Sequence, residues 1–103
     1  MDDSSLGRVY VDSDLFDLVP VLIESLSAEL SEMETGIEKN EYSLVREKAH
    51  SSKGAALTFG FAVYAEELEN LRKFVIDQDN ARIRQSIGRL KILLETAVFA
   101  PAV

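Results

Sequence analysis

From Pro20 to Val98 apolar residues recur at three- and four-residue intervals, with only short turn-like breaks between the periodic stretches. Such a period suits helices that bury one stripe each. Leu22, Ile23, Leu26, Leu30, Met33 and Ile37 mark one helix from Pro20 to about Lys39, with Gly36 as a place where it can fray early. Lys39-Asn40 reads as a turn. A second long helix runs from about Glu41 to Phe59 and stops at Gly60, the residue best able to adopt a left-handed conformation. A third covers about Phe61 to Ile76, with Val63, Tyr64, Leu68, Leu71 and Val75 facing inward. Asp77-Gln78-Asp79-Asn80 supplies capping side chains for the last, which carries Ile83, Ile87, Leu90, Leu94 and Val98 in register and stops before Pro101. Upstream, Asp12-Ser13-Asp14 can cap a short helix that ends or kinks near Val19-Pro20, and residues 1–10 read as a loose lead-in. Short connections force neighbouring helices to run antiparallel, so the expected fold is all-α: an up-down antiparallel four-helix bundle with a short extra N-terminal helix.

A chain of 103 residues makes one domain, expected to span 1–103. Hydrophobic residues are 47% and charged residues 28%, which excludes an intrinsically disordered chain. With no cysteine there is neither a disulfide framework nor a thiolate metal site. The net charge of −7 argues against nucleic acid as a partner, since phosphates demand a basic footprint. The apolar runs are too short and too interrupted by charge for membrane insertion, and the acidic opening is unlike a signal peptide. The expected location is therefore the cytoplasm. A single bundle can bury its own core, so a monomer is expected.

The helix that ends at Gly60 departs from a simple core-and-solvent pattern. At about 100° per residue, Val45, Ala49, Ser52, Ala56 and Phe59 share a narrow sector that must face the core. His50, the single histidine, lies roughly 140° from the centre of that stripe. Arg46, Lys53, Gly54 and Leu57 share its outward side. Glycine within a helix costs about 1 kcal/mol relative to alanine. Because Gly54 points away from the core, helix packing does not account for it, whereas close approach of another molecule beside His50 does. Leu57 is an apolar residue on the same outer sector and fits a contact surface. Lys53 stands one turn from His50, so its ammonium can reach an anion carried on the imidazole.

A lone exposed histidine is by itself an ordinary surface residue, and several chemistries for it fail on the residues present. A second His or a Cys for a transition metal is missing. Ser-His-Asp catalysis needs a buried orienting acid and a pocket that the pattern does not supply. A general base on a convex helix face also lacks a pocket for substrate. The company of Lys53 and the costly Gly54 points instead to a nucleophile offered to a partner. Ser52 faces inward and reads as a small packing residue.

The segment Ala49-His50-Ser51-Ser52-Lys53-Gly54-Ala55-Ala56-Leu57-Thr58-Phe59-Gly60-Phe61 resembles the signature of histidine-phosphotransfer domains: Ala-His, then Lys-Gly after two residues, then small residues and a terminal glycine. Val11 to Ile23, with its Asp17-Leu18-Val19-Pro20, is similar to the family's opening helix, and Glu67-Leu68-Glu69 to its fourth. The resemblance implies that His50 is the phospho-acceptor, that Lys53 stabilises the phosphoryl group and that Gly54 leaves room for a docking receiver domain. Arg46 and Leu57 would belong to the same partner-binding face. An imidazole nitrogen is a competent nucleophile toward a phospho-aspartate, and phosphoryl transfer needs mainly positioning and charge stabilisation. No cofactor is expected in the chain itself. The Mg2+ and the aspartate would come from a response-regulator receiver domain, with a sensor histidine kinase upstream. No glycine-rich nucleotide loop is visible, so the expected role is a phosphocarrier without ATP-dependent autokinase activity.

The run Thr58-Phe59-Gly60-Phe61 is also similar to the phosphotransfer domain of chemotaxis kinases, whose next helix carries a glutamate that orients the acceptor imidazole. At that spacing this chain has Arg72, with Glu69 one turn earlier. Glu69 is thus either a substitute holder of the imidazole proton or a solvated acid. A remaining alternative is a module that docks a receiver without transfer.

Overall fold

The computed structural model describes residues 7–103. Four helices dominate it: α1 (Val19–Glu38), α2 (Tyr42–Thr58), α3 (Ala62–Ile76) and α4 (Asn80–Thr96). Two short strands, β1 (Arg8–Asp12) and β2 (Val98–Ala102), pair in parallel from Arg8 opposite Val98 to Asp12 opposite Ala102.

The three connections between helices share one local device. Asn40, Gly60 and Gln78 each take a left-handed conformation, with φ of 58°, 77° and 53°. The next residue's N–H then reaches back to a carbonyl in the last turn: Glu41 to Gly36, Phe61 to Ala56, Asp79 to Phe74. This closes each helix by satisfying carbonyls that would otherwise lack a donor. The residue that makes this bond is already the N-cap of the following helix. Asp79 also caps α4 with its side chain, accepting from the Arg82 N–H at 3.2 Å. Glycine at Gly60 has a second cause beyond its dihedral angle. An added Cβ would lie 2.8 Å from the Tyr10 carbonyl oxygen in β1.

Helix α1 runs straight through Gly36 instead of fraying there. Gly36 is buried, and a Cβ on it would meet Val45 Cγ2 at 2.8 Å, so its small size lets α1 and α2 approach closely. The buried side chains form one cluster drawn from all four helices and β1. Leu26, Met33, Val45, Tyr64, Leu68, Leu71, Ile83 and Leu90 are all at or near zero exposure. On α3 the inward stripe is Tyr64, Leu68, Leu71 and Val75, whereas Val63 is half exposed, contrary to the sequence expectation.

The segment before α1 differs from its sequence reading. In place of a separate N-terminal helix there is a single 3-10 turn, Phe16–Leu18, that leads directly into α1 with Pro20 in the first turn. Asp12 opens the turn that precedes it, its carbonyl accepting from the Leu15 N–H at 2.9 Å and its carboxylate from the Asp14 N–H at 2.8 Å. Of the expected loose lead-in, residues 1–6 lie outside the described residues, while Arg8, Val9 and Tyr10 belong to β1. At the other terminus α4 ends at Thr96, and Val98 is in β2 instead of continuing the helix. The reason is pairing. Ala97 turns extended, the Val98 N–H donates to Gly7 O at 2.7 Å, and Phe99 packs edge-on against Phe61 with ring centroids 5.3 Å apart. Val9 and Val11 fill the inner side of β1. The ribbon therefore closes the end of the molecule where the α2–α3 turn lies. At another point the Tyr42 hydroxyl links the α1–α2 connection to the start of α4, lying 3.2 Å from Asn40 Oδ1 and 3.3 Å from Asn80 Oδ1.

Candidate functional site

On α2 the core stripe is Val45, Ala49, Ser52 and Ala56, all buried, with Phe59 partly so. That orientation fixes the opposite face by helical geometry, and His50 is exposed on it near the middle of the helix. Arg46, Gly54 and Leu57 are exposed as well, Leu57 at 54%. An added Cβ on Gly54 would find no atom within 4 Å. Nothing inside the molecule therefore requires a glycine there. Gly88 on α4 has the same open surroundings. The helix runs unbroken through Gly54, whose carbonyl also accepts from Thr58 Oγ1 at 3.0 Å.

His50 is not on a purely convex surface, as the sequence suggested. Ser43, Arg46, Glu47 and Lys53 from α2, with Glu69 and Arg72 from α3, border an open depression of about 800 Å3 around it. Its rim carries three cationic side chains against two carboxylates, a local positive excess on a chain of net charge −7. Arg46 and Lys53 come from the outward face of α2, and α3 contributes the groups that engage Lys53. Ser43 and Glu47 also belong to this rim, although the wheel reading did not single them out. They lie two turns and one turn before His50 on α2, at i−7 and i−3.

Three of these groups form a charged cluster. Lys53 Nζ donates to Glu69 Oε1 at 3.2 Å, while Arg72 donates through Nε to the same oxygen at 3.2 Å and through a terminal nitrogen to Oε2 at 2.6 Å. All three are partly exposed. The Arg72 guanidinium, helped by the Lys53 ammonium, holds the Glu69 carboxyl well below its ordinary range, at about 2. Glu69 in turn raises Arg72. Both Glu69 oxygens are thus engaged by cations, and among the described residues no hydrogen bond joins Glu69 to His50. Of the three donors on the Lys53 ammonium, one is directed at Glu69, and the others remain for an anion nearby.

A second acid on α3, Glu67, belongs to a different environment. It accepts from Ser86 Oγ at 2.6 Å and faces Arg89 at 3.8 Å, tying α3 to α4 away from His50. Among the described residues no group of three or more His, Cys, Asp or Glu side chains converges to hold a metal ion. No described helix is long and apolar enough to cross a membrane. No family model matches the chain, and neither a curated protein nor a solved structure matches it.

Proposed function

We propose that this chain is a histidine-phosphotransfer domain, a single cytoplasmic, monomeric module of a two-component phosphorelay. The observation that carries the reading is the outer face of α2: an exposed His50, Lys53 one turn away and open space over Gly54. The reading includes an up-down antiparallel bundle. Contacts that run in opposite senses along α1 and α2 support it, with Gly36 beside Val45 and Glu32 2.8 Å from Lys48.

In this reading a receiver domain docks across Arg46, His50, Gly54 and Leu57 and brings a phospho-aspartate with its Mg2+. The lone pair of an unprotonated imidazole nitrogen attacks phosphorus. A P–N bond forms as the P–O bond to the aspartate breaks, and the carboxylate leaves with the electron pair. Lys53 offers positive charge to the phosphoryl oxygens as they pass between the proteins. Return to a receiver is the same step reversed. The chain acts as carrier and substrate, with ATP used by a sensor kinase upstream.

The test is incubation with a phosphorylated receiver, followed by detection of acid-labile, base-stable label on the domain. Wild-type protein is expected to take up the label and His50→Gln none. Label on His50→Gln would refute the assignment. A receiver that binds without transferring label to the wild type would favour a docking module.

A further inference from the structure

We propose that Arg72 is a positioning residue, which neutralises Glu69 so that the Lys53 ammonium stays available to an anion on His50. The inference rests on the phosphotransfer reading and assigns a role to a residue of the neighbouring helix whose side-chain bonds go to Glu69.

The argument begins with the geometry of the carboxylate. Arg72 takes both Glu69 oxygens, its shorter contact at 2.6 Å, whereas Lys53 shares a single oxygen at 3.2 Å. A planar guanidinium matches a carboxylate through two parallel bonds, while an ammonium acts as a point charge. Arg72 is therefore the principal partner and Lys53 the subordinate one. Without Arg72, Glu69 and Lys53 would form a simple one-to-one pair whose charges cancel. With it, the trio keeps one positive charge, beside His50 on the rim of the same depression.

Stability alone is a weak account of the cluster. Arg72 and Glu69 are an i, i+3 pair, and all three members are partly exposed. Such pairs contribute little to folding because solvent screens them and side-chain entropy opposes them. A phosphoryl group on His50 changes the balance, since it adds close to two negative charges one helical turn from Lys53. The ammonium then turns toward the stronger anion. A carboxylate already satisfied by Arg72 gives it up readily, and no bare acid is left to repel the phosphoryl group.

The experiment compares phosphoryl uptake from a phosphorylated receiver by wild type, Arg72→Gln, Glu69→Gln, the Arg72→Gln/Glu69→Gln double variant and Arg72→Lys. Arg72→Gln is expected to slow uptake roughly tenfold, the scale of one lost charge near the transferring group. Glu69→Gln is expected to match or exceed wild type, and Arg72→Lys to retain most of the rate. The decisive variant is the double one: removing the acid that Arg72 neutralises should restore the rate. If it stays as slow as Arg72→Gln, Arg72 acts by another route, such as direct contact with the receiver, and the proposal is wrong. An unchanged rate in Arg72→Gln overturns it as well. In both cases a wild type that takes up label while His50→Gln does not leaves the phosphotransfer reading standing. A second measurement needs no partner. The Glu69 carboxyl, followed by carbon NMR, should titrate at clearly higher pH in Arg72→Gln than in the wild type, and an unmoved midpoint would refute the neutralising role.

Discussion

Gly54 and Gly88 offer a matched pair of perturbations that separates folding from function. Both lie inside helices, and an added Cβ at either would meet no atom within 4 Å. Alanine at each site should therefore recover the helix-propensity difference without opposing strain, about 0.5–1 kcal/mol. For a domain near 100 residues that raises the melting midpoint by roughly 2–8 °C. Gly36 and Gly60 behave oppositely. Alanine at Gly36 must displace Val45 Cγ2 from 2.8 Å, and at Gly60 it meets a backbone oxygen at 2.8 Å in a left-handed conformation. Both should be destabilised by about 1–3 kcal/mol. Thermal melts of the four variants check the signs. Function should then split the first pair. A larger residue, as in Gly54→Leu, should slow receiver-dependent uptake by at least about tenfold, the equivalent of about 1.4 kcal/mol of obstructed docking. The same change at Gly88 should leave uptake unaltered. If Gly54→Ala melts below the wild type, the open environment assigned to Gly54 is wrong. If Gly54→Leu transfers at the wild-type rate, clearance for a partner is not the reason for that glycine.

Lys53→Ala should slow phosphoryl uptake roughly tenfold while changing stability by no more than about 0.5 kcal/mol, because the bond it makes to Glu69 is partly exposed; a large drop in the melt with intact transfer would reverse the assignment. Glu69 has a folded-state value near 2 against an ordinary value of 4.5, so its contribution is fully present above the ordinary value and disappears as pH falls toward 2. The stability difference between wild type and Glu69→Gln, followed by urea melts, should therefore shrink across that window, and a difference that stays constant with pH would exclude the charged cluster as its source. Gln78 adopts φ of 53° with a full side chain, so Gln78→Gly should stabilise the protein by about 1 kcal/mol; an unchanged or lowered melting midpoint would contradict the left-handed turn.

The helices were legible because each buries a stripe with a clear period, and the first three end at a residue that tolerates or is forced into a left-handed turn. Asn40 and Gly60 are residues that favour this conformation, whereas Gln78 does not announce it, and only the capping acids around it marked the break. The strand pair was harder to see. Arg8 to Asp12 does alternate, with Val9 and Val11 buried between exposed neighbours, but five residues carry little periodic signal. Its partner is separated from it by all four helices, and β2 is not apolar in alternation. Val98 falls at a helical spacing from Leu94, so periodicity extends α4 too far, whereas pairing with β1 and the packing of Phe99 on Phe61 end it. Val63 was misplaced for a related reason: Tyr64, Leu68, Leu71 and Val75 set the buried phase, and Val63 sits at the start of the helix on its margin. On α2 the orientation of His50 was readable because the small buried residues define one stripe. The bond from Lys53 to Glu69 was not, because it depends on how close α3 comes to α2.

That closeness has its own cause in the sequence. Ala49, Ser52 and Ala56, all buried, keep the core face of α2 small. Larger residues on this stripe would push the neighbouring helices outward. The three-residue connection through Gly60 also keeps α2 and α3 adjacent from their shared turn onward. Close packing on the inner face therefore bears on the chemistry of the outer one, since it sets whether Glu69, held by Arg72 on its own helix, reaches across to Lys53. Enlarging Ala56 or Ala49 would thus perturb two things at once, the core and the ion cluster, whereas Arg72→Gln perturbs the cluster alone. This is why the charge-deletion series, and not a core series, can separate the positioning of Lys53 from the integrity of the fold.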